Sequence, residues 1–255
     1  MDFATKVMTA GAGQTHLFSV GQAGYIIKSR SGQLLAIDLY LSDCVERLEG
    51  HIGFKRMLSK ILGPFDLEFD CIITTHFHWD HYDFDSVPEM ISNNKTKLFA
   101  ATDCKELVQK AGLKENNISY VKPGESYVCG DFNIHFINCD HGTGAPEAVG
   151  VIVEVDGKRI LEVGDTCLRL DRKDEYLAFG GIDVMIAPIN GAYGNLNAEE
   201  CAKLSAELQP GLTVPCHYGM FASHGGNPGE FYEIMTEKYP NNRFCIMTQG
   251  ERITL

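Results

Sequence analysis

Short runs of β-branched and other apolar residues, closed by glycine-containing turns, open the chain: HLFSVGQ (16–22), YIIKSR (25–30) and LLAIDL (34–39). Runs of this kind bounded by turn residues predict strands. A helix-like period follows over Ile52–Leu62, then the continuous apolar run Cys71–Thr74, which predicts a buried strand. Helices are expected at Ser86–Ile91 and Asp103–Ala111. The strand pattern restarts near Ile118 with DFNIHFINC (131–139), VGVIVEV (149–155) and KRILEV (158–163). Asp156-Gly157 between the last two is a strong hairpin signal. An apolar run at Val184–Ile189, a helix at Ala198–Leu208, a strand at Leu212–Cys216 and a helix at Pro228–Lys238 come next. FCIMT (244–248) and RITL (252–255) read as edge strands. Strands followed by helices, twice over, predict an α/β fold of two face-to-face sheets with helices outside. We read it as one domain over residues 1–255 with two related halves.

Composition narrows the partners. A chain of 255 residues that is 44% hydrophobic and 22% charged is long and apolar enough to bury a core, which excludes disorder. No apolar run approaches the roughly 20 residues that a bilayer requires. Basic residues number 22 against 34 acidic, for a net charge of −12. Polyanion binding needs clustered cations, and the densest basic stretch, Arg169–Lys173, is broken by Asp171. A small molecule is therefore expected as partner, rather than nucleic acid or a membrane. Nine scattered cysteines, with no C-x-x-C pair, suggest reduced thiols. The N-terminal MDFATKVMTAGAG lacks a signal-like apolar core. A cytoplasmic location is the expectation.

The chemistry concentrates in THFHWDH, which places His76, His78, Asp80 and His81 directly after CIITT. Three imidazoles and a carboxylate are costly to bury unpaired. A divalent cation removes that cost, since neutral imidazole and carboxylate both ligate zinc-like ions. His76 and His78, two apart, point the same way from extended backbone, and a following turn brings Asp80 and His81 toward a second ion. Elsewhere the residues alone leave alternatives. His141 competes with His135, Asp165 could cap a turn, and Asp38 could close an Asx-turn. His16 and His51 read as ordinary, partly exposed histidines.

Taken together, H-x-H-x-D-H, His141 after a strand, Val163-Gly164-Asp165-Thr166, His217 in LTVPCHYG and Asp38 in LLAIDLYLS resemble the metallo-β-lactamase superfamily, in that family's order. The resemblance implies an αββα sandwich. It also implies that His76, His78 and His141 hold one divalent ion, that Asp80, His81 and His217 hold a second, and that Asp165 bridges them. Asp38 would orient a ligand imidazole through its free N–H. Zn or Mn, with Fe as a further candidate, suits such a donor set.

Within the superfamily, VGQAGYII (20–27), LLAIDLYLSD (34–43), PINGAYGNLNAEECAKLSAEL (188–208) and PCHYGMFASHGGNP (215–228) resemble the L-ascorbate-6-phosphate lactonase-like branch. That resemblance implies a hydrolase of a small lactone or ester, acting through a metal-bridging hydroxide, and a homo-oligomer. Asp80 would orient the nucleophile or take its proton. His224 would donate a proton or touch substrate, and Asn190 and Tyr193 would line the pocket. One departure stands out: no paired Arg or Lys forms a phosphate clamp, Arg169 and Arg172 being the nearest candidates. The alternatives are a phosphodiesterase or nuclease of the same fold, which would call for basic surface, and a non-enzymatic scaffold, which would close its ion positions to water.

Overall fold

The computed structural model describes residues 1–255. It contains two mixed sheets. The first is built from β1 (His16–Gly21), β2 (Gly24–Lys28), β3 (Leu34–Ile37), β4 (Cys71–Thr74), β5 (Lys97–Ala101) and β6 (Ile118–Val121). The second holds β7 (Ser126–Cys129), β8 (Phe132–Asn138), β9 (Val149–Val155), β10 (Lys158–Glu162), β11 (Val184–Pro188) and β12 (Leu212–Cys216). A last strand, β13 (Arg252–Thr254), returns to the edge of the first sheet beside β1. Each sheet begins as an antiparallel meander and continues in parallel strands. The architecture is the α/β sandwich of the metallo-β-lactamase fold.

Alternation along β9–β11 shows how the layers form. Val151, Val153, Ile160, Val184 and Ile186 enter a core cluster of 47 residues shared with the first sheet. Their neighbours Ile152, Leu161, Met185 and Ala187 face the other way. There they pack with buried residues of the helices Ala198–Leu208 and Pro228–Lys238 in a second cluster of 17. A strand covered on both faces must be apolar at successive positions, which is why these runs lack polar alternation. Asn197 and Glu200 form a reciprocal capping box at the start of the helix Ala198–Leu208. The hairpin turns on Asp156 and Gly157, both at positive φ (53° and 79°) as a type I′ turn requires. No helix is long and apolar enough to cross a membrane.

Two expected elements are corrected. Residues 52–62 form a single 3₁₀ turn at Ile52–Phe54 rather than a helix. The Arg56 guanidinium donates to the carbonyls of Tyr40, Ser42 and Leu58, and Met57 N–H donates to Met220 O, so tertiary bonds pull the backbone out of helical register. FCIMT makes only one bridge, Phe244 to Thr213 on β12. By Gly250 the chain is bonded to Ser19 on the first sheet, so this segment spans the gap between sheets and cannot extend a ladder on either. Strands β5 and β7 and the short helices Phe3–Met8, Cys44–Glu49 and Lys173–Tyr176 were not anticipated.

Candidate metal centre

Strand direction gathers the site. β1, β3 and β4 of the first sheet run the same way, as do β8, β10, β11 and β12 of the second. The loops after these strands carry Gln22, Asp38, His76–His81, His141, Asp165 and His217, and side chains from both sheets meet there. The C-terminal ends of parallel strands are where open α/β sheets generally bind ligands. Gly164 makes one of these turns: its φ is +72°, and a Cβ would lie 2.9 Å from Val149 O. The backbone is strained around the site. Gln22, Asp38, Tyr193 and His217 all hold positive φ (56°, 46°, 56° and 59°), and such conformations cost on the order of 1–3 kcal/mol each unless surrounding structure enforces them.

In one group, His76 Nε2 and His141 Nε2 lie 2.9 and 3.2 Å from His78 Nδ1. Asp165 stands next to it. Its Oδ2 is 3.8 Å from His141 Nε2 and 3.4 Å from His81 Nε2, while its Oδ1 is 2.8 Å from His217 Nε2. Asp80 Oδ2 lies 3.7 Å from His81 Nε2. Beneath, Asp38 is wholly buried and accepts from Thr75 N–H (2.8 Å), Thr75 Oγ1–H (2.6 Å) and His81 Nδ1 (2.7 Å). A proton held on His81 Nδ1 leaves its Nε2 lone pair free for the site.

These positions fit divalent cations. A neutral imidazole offers one lone pair, and three ring nitrogens facing one another repel unless a proton or cation lies between them. Tetrahedral zinc with bonds of 2.0–2.1 Å holds its nitrogens about 3.3 Å apart, close to the spacings around His78. His81 Nε2 and His217 Nε2 are buried and lack a hydrogen-bond partner, although Asp165 oxygens are near, so their geometry is not that of a donor and acceptor. Burial pushes His76 well below the ordinary imidazole range, and lowers His141 to about 4. Burial raises Asp165 and Asp80, but the facing histidines outweigh it: Asp165 stays well below the carboxylate range and Asp80 falls to about 2. Burial disfavours a charge on His81, yet Asp165, Asp38 and Asp80 together raise it well above its usual value. With His76 and His141 neutral and Asp80 and Asp165 ionised, these groups are of the donor type that zinc-like ions take, and a bound cation would displace the extra proton from His81.

Every metal position named from sequence thus lies in one cluster, as do Asp38 and His224. His135 lies apart, stacked on Phe179 at 3.8 Å and bonded to Ser126 and Glu154. Tyr193 lines the cavity over the cluster with His224, whereas Asn190 is buried outside that lining, its amide without a partner. Arg169 is tied to Asp140 and Asp171, and neither it nor Arg172 reaches the cavity. His16 is 1% exposed, not partly exposed, and bonds Thr254 and Gly11.

Sequence reasoning missed two groups. Gln22 Nε2 lies 2.8 Å from Asp80 Oδ2, 2.8 Å from His224 Nδ1 and 3.0 Å from His217 Nδ1. Asn195 Nδ2 donates to Asp165 Oδ2 at 2.8 Å. A polar residue directly after β1, at the same end as Asp38, was a usable clue for Gln22; Asn195 carried none.

Residues 16–217 match the family model described as a β-lactamase superfamily domain. The chain belongs to the metallo-β-lactamase superfamily. It is 26% identical to a UPF0173 metal-dependent hydrolase of Polynucleobacter asymbioticus, covering 98% of this chain and 90% of that protein. A UPF0173 metal-dependent hydrolase of Thermococcus onnurineus is 28% identical, over 82% of this chain and 98% of its own. Among solved structures, Igni18, a metallo hydrolase from Ignicoccus hospitalis, superposes with a TM-score of 0.73 at 21% identity, covering 95% of this chain and 98% of that one. That last likeness speaks for the fold alone.

Proposed function

We propose that the protein is a metal-dependent hydrolase that opens a lactone or carboxylic ester in a small molecule. His76, His78 and His141 would hold one ion, and Asp80, His81 and His217 a second, with Asp165 between. The carrying observation is the convergence of imidazole nitrogens at 2.9 and 3.2 Å beside an Asp165 carboxylate that faces both ligand sets. Divalent ions bound there supply Lewis-acid polarisation and lower the pKa of water from 15.7 toward about 7.

The chain's own groups prepare that chemistry. Asp38 fixes the His81 tautomer, and Thr75 fixes Asp38. The Gln22 amide donates to Asp80 and to His224 Nδ1, each at 2.8 Å. Burial lowers His224 to about 4, so its ring is neutral at pH 7. With Nδ1 accepting from Gln22, the ring proton resides on Nε2 and is available to the cavity that His224 lines. A neutral ring is a hydrogen-bond donor rather than an acid, so the role we assign to His224 is to bind a substrate oxygen in the cavity. A phosphodiesterase reading finds less support, since neither Lys nor Arg lines the cavity.

Metal analysis, combined with a screen against lactones, carboxylic esters, thioesters and phosphodiesters, tests the reading. About two ions per chain are expected, with ester or lactone turnover that disappears on chelation and in His76→Ala. Turnover that persists after exhaustive chelation would overturn it.

A further inference from the structure

The walls of the cavity carry information that the metal ligands do not. Its volume is about 160 Å³ with the ion positions included, so what remains beside the ligands is at most the roughly 150 Å³ that takes up one benzene ring. Beyond the ligand cluster it is bounded by Val45, Phe54, Phe77, Trp79 and Tyr193, with Glu49 contributing the one charged side chain. Phe54, Tyr193 and His224 form a continuous aromatic wall, with centroid separations of 6.3, 5.1 and 6.0 Å. Tyr193 is held at φ +56° and is 56% exposed, so strained backbone presents a large ring at the mouth rather than in the core. Of the cations nearby, Arg56 is engaged with main-chain carbonyls, Lys60 with Asp43 and Arg169 with Asp140, while Lys55, unpaired beside Phe54, does not line the cavity. Glu49, the last residue of the helix Cys44–Glu49, is exposed and has no ion-pair partner.

We propose that this cavity selects an uncharged or cationic substrate bearing one flat apolar group about the size of a phenyl ring, and that Glu49 discriminates against anionic substrates. The inference rests on the hydrolase reading and deepens it. Aromatic walls bind a ring through area and edge-to-face contacts, and add attraction for a quaternary ammonium. A phosphorylated or sulfonated group would meet the Glu49 carboxylate with no guanidinium or ammonium to offset it. The lactonase-like resemblance then extends to the bond cleaved and not to a sugar phosphate.

The test uses the metal-loaded full chain and three esters: phenyl acetate, its para-trimethylammonio derivative and its para-sulfonate. Neither charged group is a good metal ligand. Exposed ion pairs contribute little, so kcat/KM should rise only about three-fold for the cation and fall about three-fold for the sulfonate. Glu49→Lys should reverse that order, and the effects should shrink at high salt. Replacing the phenyl ester by methyl acetate should cost at least about ten-fold. Equal turnover of the sulfonate and neutral esters, or a ratio unmoved by Glu49→Lys, overturns the proposal. Trp79, the only tryptophan, lines the cavity and reports binding without catalysis. Quenching of its fluorescence by acetanilide and its two charged derivatives gives the same ranking even if no ester is cleaved. Failure of the hydrolase reading is thereby distinguished from failure of this one.

Discussion

Asp38→Asn changes a single atom beneath the ligand cluster and tests whether the His81 tautomer governs ion binding. Asparagine keeps an oxygen for Thr75 N–H but turns an NH₂ group toward Thr75 Oγ1 and His81 Nδ1, now 2.6 and 2.7 Å from the aspartate. The threonine hydroxyl can reverse and accept. His81 cannot do so without moving its proton to Nε2, where that proton points into the ligand cluster. Keeping Nε2 free instead sets Nδ1–H against an amide N–H inside a fully buried site. An unmatched buried donor costs about 1–3 kcal/mol, which predicts a loss of roughly 5- to 150-fold in metal affinity, in the range of other outer-shell substitutions. Asparagine tolerates the left-handed φ of 46° as aspartate does, so the chelated protein should melt within a few degrees of wild type. Competition against a chromogenic zinc chelator measures the affinity, and circular dichroism the melting. Wild-type affinity in Asp38→Asn would refute the account of His81.

Gln22→Leu removes the donors to Asp80 and His224, and should lower kcat about 10- to 100-fold with a smaller change in zinc content, read by steady-state kinetics and metal analysis. Chelated protein should lose stability as pH falls from 6.5 to 4. His141 and His224 are held near 4 when folded, so the unfolded chain binds more protons in that window, at about 1.4 kcal/mol per pH unit for each group. His81, raised when folded, opposes this only near pH 6.5, where its unfolded ring is about half protonated, and adds no slope once both states are protonated; urea titrations at stepped pH follow the effect. Glu162 is buried between the sheets, its Oε2 has no partner, and burial with the nearby Asp38 charge raises its carboxyl well above the usual range. Above pH 4.5 the unfolded chain sheds that proton first, which costs the folded state stability, so Glu162→Gln should raise Tm at pH 7; an unchanged or lower Tm would contradict this.

Much of the fold is written locally. Strands β4 and β12 and the helices Ala198–Leu208 and Pro228–Lys238 fall where apolar periodicity and caps put them, because a sandwich strand or a sheet-covering helix must match its pattern to the faces it buries. The segment 52–62 shows the limit: its period suits a helix, yet Arg56 and Met57 find better partners on distant loops. FCIMT fails for a related reason, being claimed by two sheets at once.

The sequence by itself determined which groups could bind ions, since H-x-H-x-D-H after a buried strand, with Asp38, His141, Asp165 and His217 at later strand ends, is a list of donors. Tertiary structure decided their neighbours. Gln22 meets His224 across 202 positions, Asn195 reaches Asp165 across 30, and Phe54 meets Tyr193 over the ligand cluster. Local pattern records which face of an element is apolar, but it holds no information on which remote side chain will lie opposite. That pairing is fixed only when strand order and the packing of the two sheets bring loop ends to one rim.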